Sequence, residues 1–211
     1  MIKLKKSLLT ILFLLATVLL KAQPTGMIYE ISPEIKMNFE KSPLEIRFRP
    51  GDHILGDNLS DGRTDFMVGA KTKYFTLLSY SKIGYTQANY WTGVRLDFNL
   101  SLLKNKLLFN IQERYFWGLN QKSEDHYYLI QYIRYAVFKK VHLGVLGYGK
   151  WRIEKDFNKG NSFMGPTFEV FFPYNFGFQY AIVKDVLADN LYMSFFRINY
   201  KILIKNKSIQ E

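Results

Sequence analysis

The sequence predicts an all-β protein, an antiparallel up-and-down transmembrane β-barrel of about ten strands, with 8 or 12 strands as alternatives. Three observations predict it: apolar and polar residues alternate in many segments, several segments are long enough to cross a bilayer, and aromatic residues gather near segment ends. The stretch YWTGVRLDFNLSLL, residues 90–103, shows the alternation most clearly. Leu96 and Phe98 share one face and Arg95 and Asp97 share the other, which is the pattern of a strand with two unlike faces.

Residues 1–22 have the pattern of a cleaved secretory signal peptide. Three lysines precede an uncharged apolar run at residues 8–20, and Ala22 supplies a small residue at the expected cleavage site. The run is short for a membrane-spanning helix, which needs about 20 apolar residues; an uncleaved N-terminal anchor is the alternative. We therefore expect residues 23–211 to form one outer-membrane barrel domain. The chain has no cysteine, so it has neither a lipid-attachment cysteine nor disulfides.

The charge of the mature chain indicates which partners to expect. Removing four of the 29 basic residues with the signal peptide leaves 25 basic residues against 18 acidic ones, a net charge of +7. A secreted chain of this kind is not expected to bind nucleic acid. The basic excess suits outer-membrane lipids and the phosphates of lipopolysaccharide, and a merely basic surface is the alternative. No cofactor is predicted.

Alternation like that of residues 90–103 recurs along the chain. The clear segments are 107–117, 127–137, 141–153 and 192–204, and the weaker ones are 44–50, 64–72, 75–86, 162–172 and 176–187. A soluble barrel or sandwich would place the apolar face inside, whereas a membrane barrel turns that face to lipid and its polar face to the lumen. Segments of 11 to 14 residues favour the membrane barrel, because soluble strands are typically about 5–6 residues long.

The polar connections give an expected orientation. If the last strand runs toward the periplasm, the connections at 51–63, 86–89, 118–125, 156–161 and 187–190 fall outside, and short turns at 71–73, 103–106, 139–140 and 173–175 fall inside. Long loops outside and short turns inside are typical of outer-membrane barrels. Residues 51–63 are then expected to be the most exposed outer loop.

Aromatic residues fall at two heights under this orientation. Phe75, Phe138 and Phe172 lie near the inner rim, and an outer girdle is predicted at Tyr85, Tyr90, Tyr115, Trp117, Tyr127 and Trp151. Such girdles mark the two interfaces of a membrane barrel. The whole chain resembles the small outer-membrane β-barrel proteins of Gram-negative bacteria, and its Lys-rich signal ending in KAQ and its Tyr-, Phe- and Lys-rich composition look most like those of Bacteroidetes. This resemblance in architecture implies no particular activity.

Residues 27–39 alternate as well, but they would bring the strand count to eleven, where such barrels normally have an even number. Pro33 also lacks the N–H that a ladder needs. We therefore expect this segment to stay outside the wall, unless the strands on either side of Lys71–Lys73 are one strand.

The polar faces are expected to line the lumen. Their charged members mix both signs with a basic excess: Arg95, Asp97, Arg114, Arg134, Lys150, Arg152, Glu169 and Arg197. A packed ion-pair network is one interpretation, and an anion-favouring channel or a lipid-headgroup site is the other. Aqueous channels normally come with about 16 strands, which counts against a general porin. Glu113 falls on the lipid side, where it indicates a bulge, a register shift or a protein contact.

A weak metal site is considered at Asp57 and Asp61, which together with Gly62 match part of a calcium-binding loop. Leu59 stands where an oxygen ligand belongs, and no glutamate closes the loop. A solvated turn is the alternative.

No catalytic residue is predicted. The stretch YTQANYW at 85–91 resembles a short part of outer-membrane phospholipase A. That family places its catalytic His and Ser two residues apart on one strand face, but no serine follows at that spacing after His53, His126 or His142. The predicted function is an outer-membrane barrel with a structural, partner-binding or small-solute conduit role and no intrinsic catalysis. The alternatives are a lipid-modifying outer-membrane enzyme and a soluble periplasmic lipocalin-like carrier.

Overall fold

The computed structural model describes residues 26–39, 42–56, 59–85, 88–120, 123–153, 160–186 and 192–206, with the backbone alone at 52–56, 59–61 and 205–206. These residues form eleven strands and one short 3-10 turn at Pro173–Asn175. The strands are β1 Gly26–Phe39, β2 Leu44–Gly56, β3 Leu59–Lys71, β4 Phe75–Gly84, β5 Asn89–Leu102, β6 Leu107–Gly118, β7 His126–Phe138, β8 Val141–Arg152, β9 Gly160–Phe171, β10 Phe176–Asp185 and β11 Tyr192–Asn206. No helix in the described part of the chain is long and apolar enough to cross a membrane.

Neighbouring strands pair in sequence order, and β1 closes the sheet into a barrel by pairing with β11. The predicted all-β barrel of about ten strands is confirmed, with eleven strands in the wall. Ten of the strand pairs are antiparallel, whereas β1 and β11 are parallel, with Gly26 opposite Met193 and Phe39 opposite Asn206. The parallel pair is a consequence of the odd number of strands. Because successive strands alternate in direction, the first and the eleventh strand run the same way.

The prediction for residues 27–39 was wrong in both of its forms. The segment is a wall strand, and β3 and β4 are separate strands joined by a turn at 72–74. Pro33 is accommodated by an interruption of the β1–β2 ladder between Ile31 and Ile35. On the other side, the β2–β3 ladder breaks between Arg49 and Asp52. Gly51 there has a φ of 63°, a conformation that glycine adopts without steric cost.

The two faces of each strand follow the sequence alternation. In β5, Arg95 and Asp97 are buried in the interior, whereas Val94 and Leu96 are exposed on the outside. Four inward-facing glycines allow the sheet to curl, because a Cβ atom there would come within 2.0 Å of a carbonyl oxygen on the next strand: Gly69, Gly93, Gly144 and Gly165.

The connections fall at two ends of the barrel. The loop end carries the connections 57–58, 85–88, 119–125, 153–159 and 186–191, and the turn end carries 40–43, 72–74, 103–106, 139–140 and 172–175. The three longest connections are all at the loop end, as predicted. The expectation of a long loop at 51–63 was wrong, because β2 continues to Gly56 and β3 begins at Leu59. Most of the polar residues in this segment therefore belong to the paired strands β2 and β3.

Candidate functional site

The charged interior is organised around Asp97 on β5. Its carboxylate accepts hydrogen bonds from Arg95 (Nε to Oδ1, 2.7 Å; Nη2 to Oδ2, 2.9 Å) and from Arg47 Nη1 across the lumen (2.8 Å to Oδ2). Gln112 Nε2 adds a further bond of 2.9 Å to Oδ1. Arg47 also donates to Glu45, whose other oxygen lies 2.6 Å from Lys36 Nζ. One carboxylate therefore ties together three strands.

Strand β1 supplies acidic groups to the same interior. Glu34 Oε2 forms an ion pair with Arg49 Nη2 on β2 at 2.8 Å, and Glu34 Oε1 lies 2.8 Å from Lys201 Nζ on β11. Glu30 accepts from Arg197 Nε on β11 at 2.8 Å. These ion pairs link β1 to both of its neighbours, so the parallel seam is held by side chains in addition to its backbone ladder.

A third group of polar residues surrounds a small cavity. Glu169 accepts from Arg134 Nη1 at 2.8 Å and from Gln179 Nε2 at 3.1 Å, and Arg197 Nη1 donates to the Tyr132 hydroxyl at 2.8 Å. Together with Asn199, Phe171, Gly177 and Phe178 they line a cavity of about 140 Å³. The liquid volume of a water molecule is about 30 Å³, so the cavity has room for a few waters or one small polar solute.

Apolar side chains occupy much of the middle of the interior. One cluster joins Met67, Leu78, Tyr80, Trp91 and Phe116, and a second joins Ile130, Leu146, Phe163, Ala181 and Val183. Lys82 is buried beside the first cluster, with its Nζ 4.3 Å from the centre of the Trp91 ring. The two layers meet where Arg95 Nη1 lies 3.6 Å from Met67 Sδ. The lumen therefore combines a charged layer with an apolar one.

The residues predicted for the lumen all lie on inward-facing positions of their strands. Arg95, Asp97, Arg114 and Glu169 are buried, Arg134, Lys150 and Arg197 are half-buried, and Arg152 is exposed at the loop end, where it pairs with Glu124 at 2.8 Å. Sequence reasoning did not include the carboxylates of β1, because residues 27–39 were expected outside the wall. The sequence pattern that indicates a wall strand was present, since Glu30, Glu34 and Lys36 alternate with apolar residues.

Most outward positions of the described strands carry apolar side chains. Exposed examples around the circumference are Ile31, Phe66, Leu77, Val94, Ile133, Val145, Phe168 and Ile198. Glu113 and Lys184 are the two charged residues at outward positions of the described strands. Lys184 lies at the loop end of β10, with Nζ 5.8 Å from the Tyr192 ring. Glu113 lies in the middle of β6.

The residues predicted for the outer girdle lie on outward positions near the loop end. Tyr115 and Trp117 have ring centroids 4.5 Å apart, and Tyr127 and Trp151 are 5.6 Å apart on the next two strands. Tyr85 and Tyr90 are exposed at the β4–β5 connection. Phe75, Phe138 and Phe172 are exposed at the opposite end.

The weak metal prediction cannot be placed, because Asp57 and the side chain of Asp61 lie outside the described residues. In the part of the chain that is described, no three His, Asp or Glu side chains gather as a metal site would require. The His126 ring contacts the Glu124 carbonyl at 2.6 Å and its carboxylate at 3.9 Å. The His142 ring packs 4.9 Å from Phe171. Neither ring hydrogen-bonds a described serine or threonine hydroxyl.

No protein-family model, no curated protein and no solved structure matches the chain. The function must therefore be argued from the barrel itself.

Proposed function

We propose that this protein is an integral outer-membrane β-barrel with a structural or partner-binding role and no intrinsic catalysis. The observation that carries the proposal is the outer face, on which large apolar side chains are exposed around the whole circumference. Soluble monomers rarely expose continuous apolar patches above a few hundred Å². A bilayer removes this cost, because lipid is the medium that such a face prefers.

The interior supports the same proposal. Many of its charged side chains are paired within the wall, for example Asp97 with Arg95 and Glu34 with Arg49, whereas neither carboxylate oxygen of buried Asp65 has a hydrogen-bond partner among the described residues. A lipocalin-like carrier would have the opposite arrangement, with an apolar interior and a polar outer face. The expected partners of the proposed barrel are outer-membrane lipids and lipopolysaccharide, reached by secretion with a cleaved signal peptide.

The apolar layer argues against a general diffusion channel. Trp91, Phe116 and Phe163 project into a barrel of eleven strands, and open aqueous channels normally need about 16. A conduit for one small polar solute is a second candidate, favoured by the cavity beside Arg134 and Glu169. In planar bilayers we expect no porin-like conductance; a stable open pore would support the conduit instead.

Cell fractionation combined with gel mobility tests the main proposal. The protein should sediment with outer membranes, resist extraction by high salt, and migrate faster before boiling than after it, as folded membrane barrels do. Recovery in the soluble periplasmic fraction, with no shift on boiling, would contradict the proposal and favour the soluble carrier.

A further inference from the structure

A polar patch in the middle of β6 and β7 contains the one acidic side chain on the described outer face. Glu113 on β6 and Gln131 on β7 both point outward and are exposed. Glu113 lies opposite Leu96 and Leu129, and Gln131 lies opposite Ile111 and Gly147. Glu113 and Gln131 are thus diagonal neighbours across the β6–β7 pair, a placement about 7–8 Å apart.

The strand register places Glu113 on the outer face. The ladders of β6 with β5 and with β7 run without a register shift through this residue, so neither a bulge nor a slip explains it. If the barrel spans the membrane as proposed above, the carboxyl lies at the depth of the hydrocarbon. Ionisable groups there are costly and are generally retained for a function, with a polar partner.

We propose that this patch binds the same patch on a second copy of the chain, forming a twofold-symmetric dimer in the membrane. A twofold interface requires a self-complementary surface, on which residue i meets j and j meets i. Glu113 supplies a carboxylate acceptor and Gln131 a carboxamide donor. Across the axis each Gln131 donates to the Glu113 of the other copy, so the interface contains two such hydrogen bonds.

The surroundings of the patch suit a copy of this barrel. Ile133 and Val145 flank Gln131 on its turn-end side and are exposed, so two copies would pack apolar side chains around the central hydrogen bonds. Gly147 has no side chain, and a Cβ there would lie 3.7 Å from the Gln131 side chain. The two barrels can therefore approach closely at this point, as small residues permit in membrane proteins.

Site-directed crosslinking in isolated outer membranes tests the dimer, because the chain has no native cysteine. Ile133→Cys, beside the patch, is compared with Ile198→Cys on β11, an outward position on the opposite side of the barrel. With a flexible bis-maleimide, Ile133→Cys should give a band of twice the monomer mass and Ile198→Cys should not. Adding Glu113→Leu to Ile133→Cys should weaken association by roughly tenfold, the loss expected for two hydrogen bonds in a membrane. Glu113→Gln should retain most of the dimer, because a carboxamide still accepts from Gln131.

The possible failures are distinguishable. Equal crosslinking at both cysteines, an unchanged dimer after Glu113→Leu, or a band of some other mass would each overturn the dimer. A heat-modifiable barrel that stays monomeric would overturn the dimer and leave the proposed function standing. A protein that is absent from the membrane fraction would overturn both.

Discussion

The position of the lipid can be tested with a single arginine at Leu77. This residue is 57% exposed on the outer face of β4, opposite Ala70 and Leu96. A lipid-facing arginine costs about 2–4 kcal/mol at the bilayer midplane and about 0–1 kcal/mol near an interface. Leu77 lies between the two, two residues from Phe75 at the turn end of β4, so we expect Leu77→Arg to cost about 1–3 kcal/mol. The same substitution at an exposed position of a soluble barrel usually changes stability by less than about 0.5 kcal/mol. The two environments therefore predict effects that differ several-fold.

A second arginine at Leu96 refines this prediction. Leu96 is directly opposite Glu113 on β6, so Leu96→Arg places a guanidinium beside the one acidic group of the described outer face. Opposite charges facing each other across a strand pair contribute roughly 0.2–1 kcal/mol in water, and more where solvent is excluded. We expect Leu96→Arg to be less destabilising in the parent protein than in a Glu113→Leu background, by about 1 kcal/mol or more.

Both variants can be measured by denaturant-dependent folding into phospholipid vesicles, followed by tryptophan fluorescence and by the fraction that migrates as a compact barrel. Phe66→Leu, another exposed outward position, serves as an apolar control with little expected effect. If Leu77→Arg folds as well as the parent protein, the outer face does not contact lipid and the reasoning is refuted. If Leu96→Arg costs as much in the parent protein as in the Glu113→Leu background, Glu113 is not available to the neighbouring strand.

Three further predictions concern the seam, the orientation and catalysis. Glu34→Leu leaves Arg49 and Lys201 without this carboxylate and should destabilise the barrel by about 3 kcal/mol. Lys201→Leu removes the more exposed member of the same ion pair and should cost less than about 1 kcal/mol. Equal unfolding midpoints for the two variants would show that Glu34 does not stabilise the β1–β11 seam. An impermeant maleimide added to intact cells should label Leu119→Cys at the loop end of β6 and spare Asn105→Cys at its turn end, and the reverse result would invert the proposed orientation. Replacing His53, His126 and His142 together should leave lipid composition unchanged, and loss of a phospholipase or deacylase activity in that variant would establish an enzyme.

The alternation of side chains carried most of the information that the sequence held about the wall. Because the strand period is two, a segment such as 90–103 fixes which residues face each side once the fold is a closed sheet. The inward placement of Arg95 and Asp97 followed once the apolar face was assigned to lipid. Their partners did not follow, because Arg47 reaches Asp97 across the lumen from a strand 50 residues away. Such contacts depend on the curvature and the strand stagger of the barrel, about which a local sequence pattern contains no information.

The apolar layer of the lumen was missed for a related reason. Trp91 and Phe116 lie on the same strand faces as Arg95 and Arg114 but nearer the loop end, so the inner faces of β5 and β6 change from polar to apolar along the strand. An alternation test averages over a whole strand and does not register a change of character along one face. The change appears only when the strands are aligned and the aromatic residues of several faces are seen to meet.

The charges of the lumen also bear on how a barrel with an odd number of strands can close. The last pair must be parallel, and parallel ladders are slightly less stable per residue than antiparallel ones. No hairpin turn fixes the register of β1 against β11, so something else must select it. Glu30 bonds to Arg197, its direct neighbour in that ladder, and Glu34 contacts Lys201, its neighbour four residues further on. A slip of one residue would turn both carboxylates from the lumen toward the outer face and separate both pairs. The acidic side chains of β1 therefore specify the closing register, which gives the ion-pair network a structural purpose that requires no ligand.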